Sequence, residues 1–129
     1  MRQPWAWAIV HAGKYVENRK WITHLRGTIA IHASGNLDKD AKLPDGVDKP
    51  DIENLPRGAI IGVVDIVDVV EESSSEWFVG PFGFVLENPR ALPEPITCNG
   101  ALKFWNVPAH IVRVMERQLG EKLDDLSAI

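Results

Sequence analysis

Three side chains with useful chemistry occupy alternate positions near the start of the chain: Glu17, Arg19 and Trp21. Residues 15–21 are predicted to be extended, so these three side chains are expected on one face of a strand. An ion pair between Glu17 and Arg19 would keep the carboxylate ionised and hold the guanidinium in place. Such a pair can bind a base or a nucleotide, because Arg donates to phosphates and base edges and Glu accepts from exocyclic amines. Taken by itself, the spacing favours a structural ion pair.

The five tryptophans are a second feature of interest, because an indole ring can stack on any nucleobase. Trp5 and Trp21 lie beside basic residues, and we predict that they and Trp105 are stacking rings. Trp7 and Trp77 are predicted to be structural. For any one of the five, the alternative is burial in the core, which is a common place for a large aromatic side chain.

Charge is unevenly distributed along the chain. The formal net charge is −4, which argues against a protein that coats nucleic acid through a general positive field. Residues 1–26, however, contain five basic side chains and one acidic side chain, whereas residues 27–129 contain nine and seventeen. Phosphate contacts are therefore expected in the N-terminal segment, with Lys14, Lys20 and Arg26 as the candidates.

Few residues could ligate a metal or act as a nucleophile. His32 and Ser34 are predicted on the polar face of one strand, where they could contact a sugar or a phosphate. The alternative for His32 is a partly buried, hydrogen-bonded histidine. The four histidines lack the spacing of a zinc motif and Cys98 is the single cysteine, so we expect neither a metal nor any other cofactor.

The elements that position these residues follow from the hydrophobic pattern. Pro4 and Gly13 are expected to bound a short helix over residues 4–12. Residues 28–34 alternate between apolar and more polar side chains, which predicts a strand with one buried face. A long polar segment with three prolines, residues 35–57, leaves room for one helical turn. Residues 60–70 are rich in β-branched side chains and predict the central strand, buried on both faces.

The second half of the chain is predicted to contain further short strands and one helix. Ile111, Met115 and Leu119 recur every four residues, which predicts a helix that begins after Pro108, packs one face on the sheet and ends at Gly120. The strands and turns before that helix are expected, in chain order, at residues 82–86 (strand), 88–89 (turn), 96–98 (strand), 99–100 (tight turn) and 101–105 (extended).

Many short strands and two helices without regular βαβ alternation predict a mostly β fold with flanking helices, of the α+β class, built on a small and mostly antiparallel barrel. A length of 129 residues predicts a single domain over residues 1–129. The sequence contains no apolar stretch long enough to span a bilayer and no signal-peptide pattern, so we expect a cytoplasmic protein without a membrane partner.

Several motifs, in order, resemble the ASCH domain, a family related to the PUA fold. The resemblance covers nearly the whole chain and implies a PUA-like β-barrel with an N-terminal and a C-terminal helix. It also implies binding of RNA, DNA or a modified nucleoside, which makes Glu17 and Arg19 site residues. The motifs that carry it are Gln3-Pro4-Trp5-Ala6, Gly13-Lys14, Val16-Glu17-Asn18-Arg19, Trp21, Arg26-Gly27, Ile31-His32-Ala33-Ser34, residues 77–84, Asn99-Gly100-Ala101-Leu102 and Trp105.

The resemblance also raises the question of catalysis. Some relatives remove the acetyl group from N4-acetylcytidine, and ribonuclease activity is described for another. In the amidohydrolase type, a Lys is followed three residues later by a Thr and five residues later by an Arg. Lys14 and Arg19 fall on that spacing, whereas Glu17 takes the position of the Thr.

Three hypotheses follow from the sequence. The first is a module that binds RNA, a DNA end or a modified nucleoside. The second is a hydrolase with Lys14 as general base and Glu17 assisting. The third is a protein-interaction domain that uses the acidic segment 36–56. For the first, the expected ligand-binding residues are Trp5, Glu17, Arg19, Lys20, Trp21, Arg26, His32, Ser34 and Trp105.

Overall fold

One six-stranded sheet and two helices form the fold, and the computed structural model describes residues 1–129. The expectation of a mostly β fold with an N-terminal and a C-terminal helix is confirmed. Neither helix is both long and apolar enough to cross a membrane. In chain order the elements are α1 (Trp5–His11), β1 (Val16–Arg19), β2 (Gly27–Ala33), one 3₁₀ turn (Ile52–Asn54), β3 (Ala59–Val70), β4 (Phe82–Thr97), β5 (Trp105–Asn106), α2 (Ala109–Leu119) and β6 (Ser127–Ala128).

The strands are arranged in the order β1-β4-β3-β2-β6-β5. All neighbouring pairs are antiparallel except β2 and β6, which are parallel. The two edge strands, β1 and β5, do not pair with each other, so the sheet is not closed into a barrel by a continuous ladder. The predicted central strand, β3, lies in the interior of the sheet as expected.

Two apolar clusters cover the two faces of the sheet. Adjacent residues of β2 belong to different clusters, Ile29 to the one that includes α1 and Ala30 to the one that includes α2. Because neighbouring residues of a strand point to opposite faces, the sheet lies between the two helices. The prediction that only one face of β2 is buried was therefore wrong, since α2 and the segments near it also cover the more polar side, on which Ala30 and His32 lie.

Both helices have the predicted boundaries to within a residue. Gly13, directly after α1 and Ala12, has a φ of +71°, and Gly120 caps α2 in the left-handed conformation with a φ of +67°. The Gly120 N–H donates to the carbonyl of Glu116, which satisfies one of the last acceptors of the helix. Ile111 and Met115 of α2 are buried against the sheet as predicted.

Two predicted turns are absent. Asn88 and Pro89 lie inside the continuous strand β4, where Asn88 takes a φ of 55° and the pairing with β3 continues past an irregularity in register. Asn99 and Gly100 do not join two strands, and extended structure resumes only at Trp105. A β-carbon on Gly100 would lie 2.7 Å from the His32 ring, so this segment packs over that ring instead of forming a hairpin.

Candidate functional site

A cleft of about 930 Å³ lies beside β1 and is larger than the two other principal clefts, of about 580 Å³ and 220 Å³. Its walls come from the N-terminal segment, from β1, from the segment after β2 and from the loops that precede β4 and β5. With the C-terminal residue Ile129, six separate stretches of the chain meet around one opening, which is the arrangement expected of a ligand site.

The cleft is positively charged in a protein whose formal net charge is −4. Three carboxylates line it, from Glu17, Asp38 and Glu76, against five cationic side chains. A concave surface with an excess of one charge favours a ligand of the opposite sign. The five cations are Arg2, Lys14, Arg19, Lys42 and Lys103.

A triad of charged side chains forms the floor of the cleft. Lys14 Nζ donates to Glu17 Oε1 at 2.7 Å and to the Val16 carbonyl at 2.6 Å. Arg19 Nη2 donates to the other oxygen, Glu17 Oε2, at 2.9 Å. The Lys14 and Glu17 side chains are 4% and 10% exposed, whereas that of Arg19 is 23% exposed. The triad carries a net charge of +1, and Arg19 is its most accessible member.

Glu17 is ionised in this setting. Burial opposes ionisation and would raise the pKa, but the charges of Lys14 and Arg19 and the hydrogen bonds that they donate outweigh it. The result is a pKa of the Glu17 carboxyl below its ordinary value of 4.5. Because both carboxylate oxygens are occupied, Glu17 holds the two cations in place.

Two polar atoms on the wall of the cleft are buried and have no hydrogen-bond partner: Arg19 Nε and Ser34 Oγ. Nε carries a proton for donation, and a hydroxyl can donate or accept. A buried polar atom without a partner costs free energy. A ligand that brought hydrogen-bonding groups against these two atoms would remove that cost.

Two indoles line the same cleft, those of Trp5 and Trp77. Trp5 is fixed by its Nε1–H, which donates to Asp38 Oδ2 at 3.0 Å. Trp77 comes from the loop before β4. Trp77 was predicted to be structural, and its place on the cleft was missed because no local pattern connects that loop with β1.

Some of the predicted site residues lie outside the cleft. Trp21 packs edge-on against Phe84 and Phe104, with Arg19 over its ring at 5.9 Å. Trp105 packs against the cluster that includes α2. Lys20 and Arg26 are exposed on the segment between β1 and β2, and neither lines the cleft. The structure thus brings together five of the predicted site residues, but not the other five. Those in the cleft are Trp5, Lys14, Glu17, Arg19 and Ser34; those outside it are Lys20, Trp21, Arg26, His32 and Trp105.

His32 lies on the side of β2 that alternation predicts, the side of Ala30, but this side is covered and the ring is buried. The ring faces segments from the second half of the chain that pack against the same cluster as Ala30. There Nε2 contacts the Cys98 carbonyl at 2.7 Å, and the ring lies edge-on to Trp105. Burial lowers the pKa of His32, despite the opposing effect of the hydrogen bond to Cys98. A neutral, enclosed ring fits the alternative that the sequence left open, a buried and hydrogen-bonded histidine.

A comparison with protein-family models identifies the ASCH domain over residues 1–93. The chain belongs to the ASCH domain family. The matched residues include α1, β1, β2 and β3 and most of β4, and therefore most of the walls of the cleft. The resemblance inferred from the sequence motifs is confirmed for this ASCH chain.

Two curated proteins give the same family context. Activating signal cointegrator 1 of Mus musculus is 28% identical over 128 residues, and that of Homo sapiens is 27% identical over the same length. Each match covers 86% of this chain and 22% of the relative. The chain thus spans about a fifth of the length of these curated relatives.

Proposed function

We propose that this ASCH domain binds a nucleobase-containing ligand in the cleft, with RNA as the favoured ligand and DNA or a modified nucleoside as related ones. The observation that carries the proposal is the pair of unpartnered buried atoms, Arg19 Nε and Ser34 Oγ, on the wall of a cationic cleft with two indoles. A nucleotide supplies matching groups, namely acceptors on its phosphate and base edges and a flat ring.

Each group in the cleft has a part in this proposal. Arg19 donates to a phosphate or to a base edge, while Glu17 and Lys14 keep its guanidinium in place through the floor triad. Trp5 stacks on a base. Lys42 and Lys103 contribute charge from the sides of the cleft, and Lys20 and Arg26 serve as outlying phosphate contacts.

A hydrolase would use the same cleft, but the geometry of Lys14 favours binding. A general base needs a free lone pair, whereas Lys14 Nζ forms a buried ion pair with the Glu17 carboxylate at 2.7 Å, and an ammonium group in such a pair has none. Glu17 in turn has both oxygens occupied. Incubation with N4-acetylcytidine separates the two functions, and release of cytidine at a rate proportional to enzyme concentration would favour the hydrolase.

The proposal is tested by the affinity of a fluorescently labelled, single-stranded 12-nucleotide RNA. Arg19→Ala is expected to weaken binding about tenfold, because it removes a charge-assisted hydrogen bond to the ligand. Arg113→Ala is the matched control, since Arg113 is exposed on α2, on the other face of the sheet. Its affinity is expected to stay within about twofold of the wild type.

Equal affinity of Arg19→Ala and the wild type would remove Arg19 from the site. Because Arg19 also contacts Glu17, the unfolding curve of each variant is measured beside its affinity. Binding is compared only at temperatures at which both variants are fully folded, so that a loss of affinity reports on the cleft.

A further inference from the structure

The side chain of Asn18 holds a distant loop in place. Its Nδ2 donates to the Trp77 carbonyl at 2.9 Å, and its Oδ1 accepts from the Val79 N–H at 2.8 Å and from the Gly80 N–H at 3.1 Å. One amide thus satisfies three backbone groups that lie about sixty residues away in the sequence. Such long-range contacts fix where the loop lies on the sheet.

The loop itself divides its side chains between the sheet and the cleft. The Phe78 ring lies against β4 so closely that a β-carbon on Gly83 would be 2.9 Å from it. The residues on either side, Trp77 and Val79, line the cleft instead, and Val79 is 83% exposed. The loop therefore presents one ring to the sheet and an indole and an isopropyl group to the cleft.

Few other hydrogen bonds hold this loop. Within the loop, Ser75 accepts from the backbone N–H groups of Trp77 and Phe78. Outside it, the contacts with Asn18 are the hydrogen bonds that connect the backbone at residues 77–80 to β1. Without them, the position of Trp77 would depend on side-chain packing, such as that of Phe78, and on the hydrogen bonds with Ser75 inside the loop.

We propose that Asn18 is a positioning residue that holds Trp77 in place as a ring for stacking on the ligand, and that Trp77 determines the preference of the cleft for ligands that carry bases. This inference rests on the proposed function. β1 then serves two purposes within four residues, since Glu17 and Arg19 form the polar floor and Asn18 fixes an aromatic wall.

The first experiment requires no ligand. Hydrogen exchange of the Val79 and Gly80 amides is measured in the wild type, in Asn18→Ala and in Asn18→Asp. Asn18→Ala is expected to speed the exchange of both amides at least tenfold, because their acceptor is removed. Asn18→Asp keeps the oxygen that accepts from both amides but sets a second oxygen against the Trp77 carbonyl, so it is expected to retain more of the protection than Asn18→Ala does. Unchanged exchange in Asn18→Ala would overturn the proposal.

The second experiment compares binding of a 12-nucleotide oligouridylate with binding of an abasic oligonucleotide of the same length. Trp77→Ala and Asn18→Ala are each expected to weaken oligouridylate binding about five- to tenfold, and the double variant no more than Trp77→Ala does. The affinity of each variant for the abasic oligonucleotide is expected to stay within about twofold of that of the wild type. Asn54→Ala, at an exposed asparagine that does not line the cleft, is the matched control.

The outcomes separate this inference from the proposed function. The inference would be overturned, while the proposed function stands, if the loss of affinity in the double variant equalled the product of the losses in Asn18→Ala and Trp77→Ala. It would also be overturned if either single variant bound oligouridylate as tightly as the wild type does. A wild type that binds neither oligonucleotide would overturn the proposed function, and with it the ligand preference assigned to Trp77. The exchange data would then still decide whether Asn18 holds the loop.

Discussion

Glu17 balances the two cations on the floor of the cleft, because each of its oxygens accepts a hydrogen bond from a different one. In Glu17→Gln, Lys14 would remain buried without a carboxylate partner. Removing one member of a buried ion pair typically costs about 3 kcal/mol of unfolding free energy. We expect a loss of that size at pH 7, measured by urea denaturation. Glu72→Gln, at an exposed position, is the control and is expected to change stability by less than about 0.5 kcal/mol.

We expect the loss of stability in Glu17→Gln to depend on pH. The pKa of Glu17 in the folded protein lies below 4.5, so in acid the unfolded chain takes up a proton at this residue before the folded protein does. The stability that Glu17 contributes is therefore complete above pH 4.5 and is lost as the pH falls toward the lower folded value. The difference in unfolding free energy between the wild type and Glu17→Gln should narrow below pH 4.5. A constant difference from pH 7 to pH 3 would contradict this account.

At the scale of residues, local spacing predicts some of the site and misses the rest. The alternation of Glu17 and Arg19 on an extended segment was sufficient to predict their ion pair, and Lys14 lay near enough in sequence to join them. Alternation gave the side of β2 on which His32 lies but not its burial, because the segments that cover this side come from the second half of the chain. Trp77 was missed because its place in the cleft depends on contacts with Asn18 across about sixty residues of sequence.

At the scale of elements, the contact of α1 with the sheet depends on Gly62 of β3. A β-carbon there would lie 2.7 Å from the Arg90 carbonyl oxygen and 3.0 Å from Val10 Cγ2. Gly62→Ala should therefore force β4 or α1 outward and lower the free energy of unfolding by about 2 kcal/mol. Gly35→Ala is the matched control, because a β-carbon at Gly35 meets no atom within 4 Å. Denaturant curves that show equal stability for the two variants would contradict the packing described.

The elements with strong patterns were predictable, and the weak ones were not. The apolar period of four predicted α2 as a helix, and the run of β-branched residues predicted β3 as a strand. Each pattern also predicted the approximate bounds of its element. β5 and β6 have two residues each, too few to show any period, and β6 went unpredicted. Asn88-Pro89 suggested a turn, but the left-handed conformation of Asn88 is accommodated as an irregularity within β4.

At the scale of the whole molecule, the cleft is a product of topology. β1 is an edge strand, and the segments after β2 and before β4 and β5 meet beside it. The basic excess of residues 1–26 supplies three of the five cations there, and Lys42 and Lys103 come from segments with no basic pattern of their own. The charge of the cleft could therefore be anticipated only in part from the sequence.

The central claim is that the ligand occupies this cleft, and a titration followed by ¹H–¹⁵N NMR tests it most directly. The labelled protein is titrated with the 12-nucleotide oligouridylate. We expect the largest shifts from the Ser34 and Val79 amides and from the indole N–H groups of Trp5 and Trp77, while the Arg113 amide on α2 stays unchanged. Shifts concentrated on α2, with the cleft signals unmoved, would show that the ligand binds elsewhere.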